Sequence, residues 1–254
     1  SLLAATVDVS AGAVSPVAVA PAGAVANTGP PEPPTIFSVV VRTRHFEVRC
    51  RSGSRAEASI DRVAGLVEAE LARILDELDW RDFDQTLLIF LYDDVDELSR
   101  ITGTSGNAGF SIPGQMHIPH DNDQTRQHEM VHVVAEKLPE KGDEPRNLFF
   151  AEGLANAILR YVHGVPVDAV AAFYQRRGQL PNLAEIHAVG DFYAWQAAHP
   201  GFNGYDVAGS YLRYLLDTYG ARKTRRYYCG VAAKKAFGVG LAEIEKGWHR
   251  HLAQ

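Results

Sequence analysis

The chain has 254 residues, which suits one large domain or two tightly joined lobes. A hydrophobic content of 46% supports a sizeable core, yet no run of about 18 apolar residues occurs, which argues against a membrane-spanning helix. The net charge of −6 disfavours a general nucleic-acid binder.

Residues 1–35 are rich in Ala, Val, Pro and Gly and hold no lysine, arginine or aromatic residue. Their prolines break any long helix, so an extended tail or linker is expected. Such a tail fits what remains after an export signal is removed, and the protein is expected in the periplasm or outside the cell. From residue 36 to 254 the pattern is that of a folded domain, with an N-terminal lobe over about 36–138 and a C-terminal lobe over about 139–254.

"IFSVVVRTRHFEVRC" predicts one or two strands, with period-two alternation near its end. Cys50 continues the alternation of Phe46 and Val48 and suits a buried thiol. A disulfide to Cys229 would need an oxidising compartment, and both alternatives stay open. Ile60, Val63, Val67, Leu71, Ile74 and Leu78 then recur at three- and four-residue spacing, which predicts a long amphipathic helix. "TLLIFLY" is a short apolar run expected as a central strand. "DVDELSRITG" predicts a short helix closed by Gly103.

"HDNDQTRQHEMVHVVAEKLP" predicts one helix, capped by Asp121 with Gln124 three residues on. It must end near Leu138, before Pro139. "NLFFAEGLANAILRYV" predicts a second helix from near Asn147 to Gly164. The segment from Pro181 to Gly204 is irregular. "YDVAGSYLRYLLDTYG" predicts a helix closing at Gly220, with two more helical stretches after it. Arg222, Lys223, Arg225 and Arg226 are expected to form a solvated helix face. Mixed α/β first and helices later make the expected fold α+β.

The chemistry centres on "HEMVH", residues 128–132. Residues four apart share a helix face, so His128 and His132 can offer imidazole nitrogens to one ion. Glu129 sits beside them, placed to act on a water that the ion activates rather than on the ion itself. A catalytic zinc wants three protein ligands and one open position. From Leu148 to Leu159 the only side chains that are neither apolar nor absent are Glu152 and Asn156, four apart. A carboxylate in so apolar a helix is costly unless a cation meets it, which makes Glu152 the candidate third ligand. Asn156 could then hydrogen-bond a ligand histidine and fix its tautomer.

HEMVH followed by "AEGLA" resembles the gluzincin zinc peptidases, and most closely small bacterial peptidase domains of the MA-like type. The likeness runs from about residue 45 to the C-terminus, and its specific part is confined to those two motifs. It implies a zincin-like fold with the active-site helix between the lobes, zinc on His128, His132 and Glu152, and Glu129 as catalytic base. A longer metzincin motif would need Gly at 135 and His at 138, where this chain has Ala135 and Leu138. The resemblance also implies an edge strand that pairs with an extended peptide. Residues 107–118 are the candidate, with Gly109, Phe110, Gly114 and Gln115 as substrate contacts and the two glycines permitting close approach. His117 and His120 lie in or beside this segment and are expected to be surface histidines rather than ligands. No GAMEN-like sequence is present there, so an endopeptidase is expected. For the oxyanion donor the candidates are Tyr205, Tyr211 and His187, with Tyr205 preferred because Tyr211 suits an inward-facing position.

The expected partner is a peptide or protein substrate, with no nucleic acid and no membrane span. The alternative is a latent or non-catalytic domain that keeps the zinc fold to bind proteins. A fourth protein ligand would mark that closed site, and Asp143, which could also replace Glu152, is the residue to watch.

Overall fold

The computed structural model describes residues 35–104, 108–140, 142, 147–162, 164–190, 192–199 and 201–254. The tail expected over residues 1–35 therefore falls outside the described residues except for its last position, as does Asp143.

Alternating burial at Phe46, Val48 and Cys50 makes β2 (Phe46–Cys50), which pairs antiparallel with β1 (Val39–Arg42). The apolar run forms β3 (Leu87–Tyr92), parallel to β2 and central as expected. Residues 107–118 are not a single edge strand. They hold a hairpin of β4 (Phe110–Ile112) and β5 (Gln115–Pro119), turned at Pro113 and at Gly114, whose φ is +76°. The sheet order is β1-β2-β3-β5-β4, so β4 and β1 are the edges and β5 lies inside.

One sheet face carries Phe46, Val48, Leu87, Ile89, Met116 and Ile118, and α1 (Ile60–Glu77) and α3 (Asp123–Ala135) cover it. The other carries Phe90, Tyr92 and Phe37 beneath Leu98 of α2 (Val95–Thr102). Asp94 caps α2 and Gly103 closes it at φ 75°, as expected. Cys50 and Cys229 are both buried and both free thiols, which settles the open alternative.

Past α3 the described elements are helices apart from a hairpin of two-residue strands, β6 (Tyr161–Val162) and β7 (Val165–Pro166). The helix carrying AEGLA, α4 (Leu148–Leu159), stops earlier than Gly164. Arg160 takes a left-handed backbone at φ 66° and donates its N–H to the Asn156 carbonyl, while Gly164 turns the hairpin. Then come α5 (Val167–Arg176), α6 (Leu183–Ala188) and α7 (Phe192–Ala198). The last two occupy the stretch expected to be irregular; α6 starts where the Asn182 side chain accepts from the Glu185 N–H at 3.1 Å. α8 (Gly204–Tyr219) closes at Gly220 as expected. Three helices follow rather than two: α9 (Ala221–Tyr228), α10 (Ala233–Phe237) and α11 (Leu241–Leu252).

A single apolar cluster runs from Phe46 in the sheet through Val131 and Leu154 to Trp248 and Leu252. The end of α1 is gripped by arginines from the helical half. Arg160 and Arg213 reach Glu77 at 3.0 and 2.9 Å, and Arg225 reaches the carbonyls of Leu78 and Asp79. No helix among the described residues is long and apolar enough to cross a membrane.

Candidate metal centre

α3 begins one residue later than expected, because Asn122 rather than Asp121 caps it and accepts from the Thr125 N–H at 3.0 Å. It ends at Ala135, and one tighter turn then carries the chain to Leu138 and the helix-breaking Pro139. Its rotation is fixed by Arg126, which is 2% exposed and grips both carboxylate oxygens of Glu70 on α1 at 3.0 and 2.6 Å. Arg126 also bonds Asp123 in the first turn of its own helix. A planar guanidinium held by two acids sets a helix face more firmly than apolar contact alone.

With α3 so placed, His128 and His132 project together, their rings 4.8 Å apart. α4 crosses α3 and brings Glu152 to them. Glu152 Oε2 lies 3.0 Å from His128 Nε2 and 3.6 Å from His132 Nε2, and the two nitrogens are 3.1 Å apart. A tetrahedral site with bonds of about 2.0–2.1 Å has ligand-to-ligand edges of about 3.3 Å. The three atoms thus have the spacing of one tetrahedral face, with the fourth corner left to something other than these residues. Burial alone would raise the Glu152 carboxyl, but the His132 charge and the hydrogen bond with His128 hold it well below the usual carboxylate range. Burial disfavours the His132 imidazolium, but Glu152 outweighs it and pushes the group up to about 9. The donor set suits a borderline divalent ion such as zinc.

Glu129 is half-buried beside the cluster, near enough for its charge to favour the His132 imidazolium. No hydrogen bond or ion pair holds its carboxylate among the described residues. Asn156 is buried, and its Nδ2 donates to the Tyr205 carbonyl at 3.1 Å, tying α4 to the start of α8 rather than reaching toward a ligand histidine. Tyr205 is half-buried with its ring edge-on to Phe192, 5.4 Å between centroids. Tyr211 is fully buried, as expected, and its hydroxyl pairs with that of Tyr227 at 2.9 Å. His187 bonds the same Tyr227 hydroxyl through Nε2, and burial lowers it to about 4.

The segment expected to meet substrate is built differently from one open strand. A β-carbon on Gly109 would lie 2.5 Å from Thr125 Cγ2, so this glycine admits the protein's own α3. Phe110 stacks on His117, 4.6 Å between centroids, on the α2 side of the sheet. Gly114 serves the hairpin turn, and Gln115 is 3% exposed in the interior strand β5. β4, not β5, is the edge strand on this side of the sheet. His117 is a core residue and not a surface one: Nδ1 meets the Tyr92 hydroxyl at 2.8 Å and burial pushes it down to about 4. His120 pairs with Ser59 Oγ at 2.9 Å, away from the ligand set.

Sequence reasoning passed over two contributors to the site. One is the Glu70–Arg126 grip, whose partners are 56 positions apart and carry no local signal. The other is Gly153, where a β-carbon would come within 2.9 Å of the Ala208 β-carbon and carbonyl oxygen. The glycine of AEGLA is thus what lets α8 close against α4 and present Glu152. No protein-family model matches this chain, and no curated protein sequence matches it.

Proposed function

We propose that the chain is a zinc-dependent peptide hydrolase of zincin type, with His128, His132 and Glu152 as ligands and Glu129 as general base. The observation that carries this reading is the triangle of His128 Nε2, His132 Nε2 and Glu152 Oε2, all within 4.8 Å of one another, with an unengaged glutamate at the next position. The setting supports it: a mixed sheet with an antiparallel edge strand, the histidine helix packed against β4 and β5, and a second helix delivering the carboxylate.

Bound zinc would polarise a substrate carbonyl and bring water into the ionisation range of neutral pH. The chain's own part starts with two imidazoles in the neutral state, so His132 gives up the proton that the Glu152 charge favours on it before the ion is held. Glu129 takes the proton of the attacking water and passes it to the leaving amine. The outer edge of β4 offers backbone groups to an extended peptide, which sets the bond across the site. Tyr205 remains the candidate oxyanion donor, and Tyr211 pairs with Tyr227 inside the core.

The test is digestion of a diverse peptide library by zinc-loaded protein and by Glu129→Ala, followed by mass spectrometry. Cleavage by the first and not by the second, with equal zinc content, is the expected result. Zinc bound with no cleavage by either would shift the reading to a latent or protein-binding domain.

A further inference from the structure

A cavity of about 300 Å³ opens between the end of α5 and α7, lined among others by Leu180, Pro181, Glu185, Trp195, His199 and Phe202. None of these belongs to the metal cluster. The backbone around it is pinned: the Tyr174 hydroxyl donates to the Gly201 carbonyl at 3.1 Å and accepts from the Asn203 N–H at 3.0 Å. Trp195 lies in an aromatic cluster at the side of the cavity, with Phe192 stacked at 5.9 Å, the His199 ring tilted at 4.4 Å and Phe202 edge-on at 5.5 Å.

The Trp195 indole donates through Nε1 to Glu185 Oε1 at 3.0 Å, which fixes the carboxylate beside that cluster. His199 Nε2 stands 4.0 Å from the same oxygen. Oε2 receives no hydrogen bond, and no lysine or arginine pairs with this carboxylate, among the described residues. Its side chain is 49% exposed. An oriented carboxylate beside aromatic rings repels anions and leaves an apolar guest with a desolvated charge. It suits a cation, which gains from the ring quadrupole and from the carboxylate together.

We propose that this cavity binds an organic monocation, an alkylguanidinium or alkylammonium group such as the end of an arginine or lysine side chain. The guanidinium is preferred, because its planar fork can present two N–H groups to the Glu185 carboxylate. The proposal does not depend on the metal reading, since the two sites share no residue.

Trp195 provides the signal, because the other two tryptophans, Trp80 and Trp248, are 7% and 0% exposed. The full chain, with and without zinc, is titrated with n-propylguanidinium, n-butylammonium, n-butanol and the tripeptide amide Ac-Ala-Arg-Ala-NH2 while tryptophan emission is followed. Both cations are expected to give saturable changes and butanol none. Glu185→Gln is expected to weaken cation binding about tenfold. Ligand-observed NMR with Trp195→Phe is expected to show binding retained without the optical change. A tripeptide that binds at least as tightly as propylguanidinium assigns the ligand to a polypeptide side chain, and a weaker one assigns it to free amines or guanidines. Equal responses to butanol and the cations, or an affinity unchanged in Glu185→Gln, would overturn the proposal.

Discussion

Gly153 and Ala208 meet where α4 crosses α8, so closely that a methyl group on the glycine would stand 2.9 Å from the alanine β-carbon. The residue beside a candidate metal ligand is therefore held by packing, not by chemistry. Gly153→Ala must separate the two helices or strain them, at a cost of about 1–3 kcal/mol. Zinc affinity should fall with stability, because Glu152 moves with α4. Gly65→Ala is the control: that glycine lies on the exposed side of α1 with nothing within 4 Å of a new β-carbon. It should stabilise by up to about 1 kcal/mol. Urea denaturation and a competitive zinc chelator measure both effects.

The metal-free protein should show a pH dependence written by His132 and Glu152. His132 rises from the ordinary 6.5 to about 9, so its contribution is complete below 6.5 and is lost as pH climbs through 9. Glu152 is depressed from 4.5, so its contribution is complete above 4.5 and is lost only as pH falls through its lower folded value. The two describe one ion pair, at full strength between those limits. Urea midpoints of metal-free protein should drop between pH 6 and pH 9, and His132→Gln should flatten that drop.

Zinc uptake should release protons. At pH 7.5 the metal-free cluster still holds the His132 proton, which a bound ion must displace. Calorimetry in buffers of different ionisation enthalpy should give about one proton released per zinc from this group. A value near zero at pH 7.5 would mean that His132 does not enter the ligand set. The same competition should strip the metal as pH falls below the usual imidazole range, and any hydrolytic activity should fall with it.

Arg126→Leu should be among the most damaging single changes outside the cluster. It leaves Glu70, an 11%-exposed carboxylate, without its ion-pair partner and with only a long hydrogen bond from the Gln127 amide at 3.3 Å. Removing one member of a buried pair costs about 3–5 kcal/mol. Arg126→Lys should recover only part of this, because a single ammonium cannot span both Glu70 oxygens. If the arginine acts by setting the rotation of α3, zinc affinity should fall even under conditions where the variant is fully folded.

Much of this architecture could be read from local pattern. The spacing of Ile60 to Leu78 marks α1, the apolar run marks β3, and the lone carboxylate in an apolar helix singles out Glu152, which the fold brings to His128 and His132. The rest depended on partners far along the chain. Nothing near Arg160 announces that α4 ends there, since its left-handed backbone is accompanied by a bond to Glu77, 83 positions earlier. The β4–β5 hairpin is a different failure. Pro113 and Gly114 carry a turn signal, and treating residues 107–118 as one strand put Gln115 at an edge when it lies inside the sheet. The caps of α3 differ by one position because Asp121 and Asn122 are adjacent and chemically equivalent as caps.

The arginine grip on the end of α1 has a consequence for how the chain comes to be folded. Arg213 and Arg225 reach back 136 and 147 positions to Glu77 and Leu78. Loops of that span are closed late, because their entropy is lost before any contact compensates. During synthesis α1 can lie on the sheet and meet Arg160 first, while the bonds from Arg213 and Arg225 form only once α8 and α9 have emerged. The last contacts at the end of α1 therefore belong to α8 and α9, made long after α1 itself.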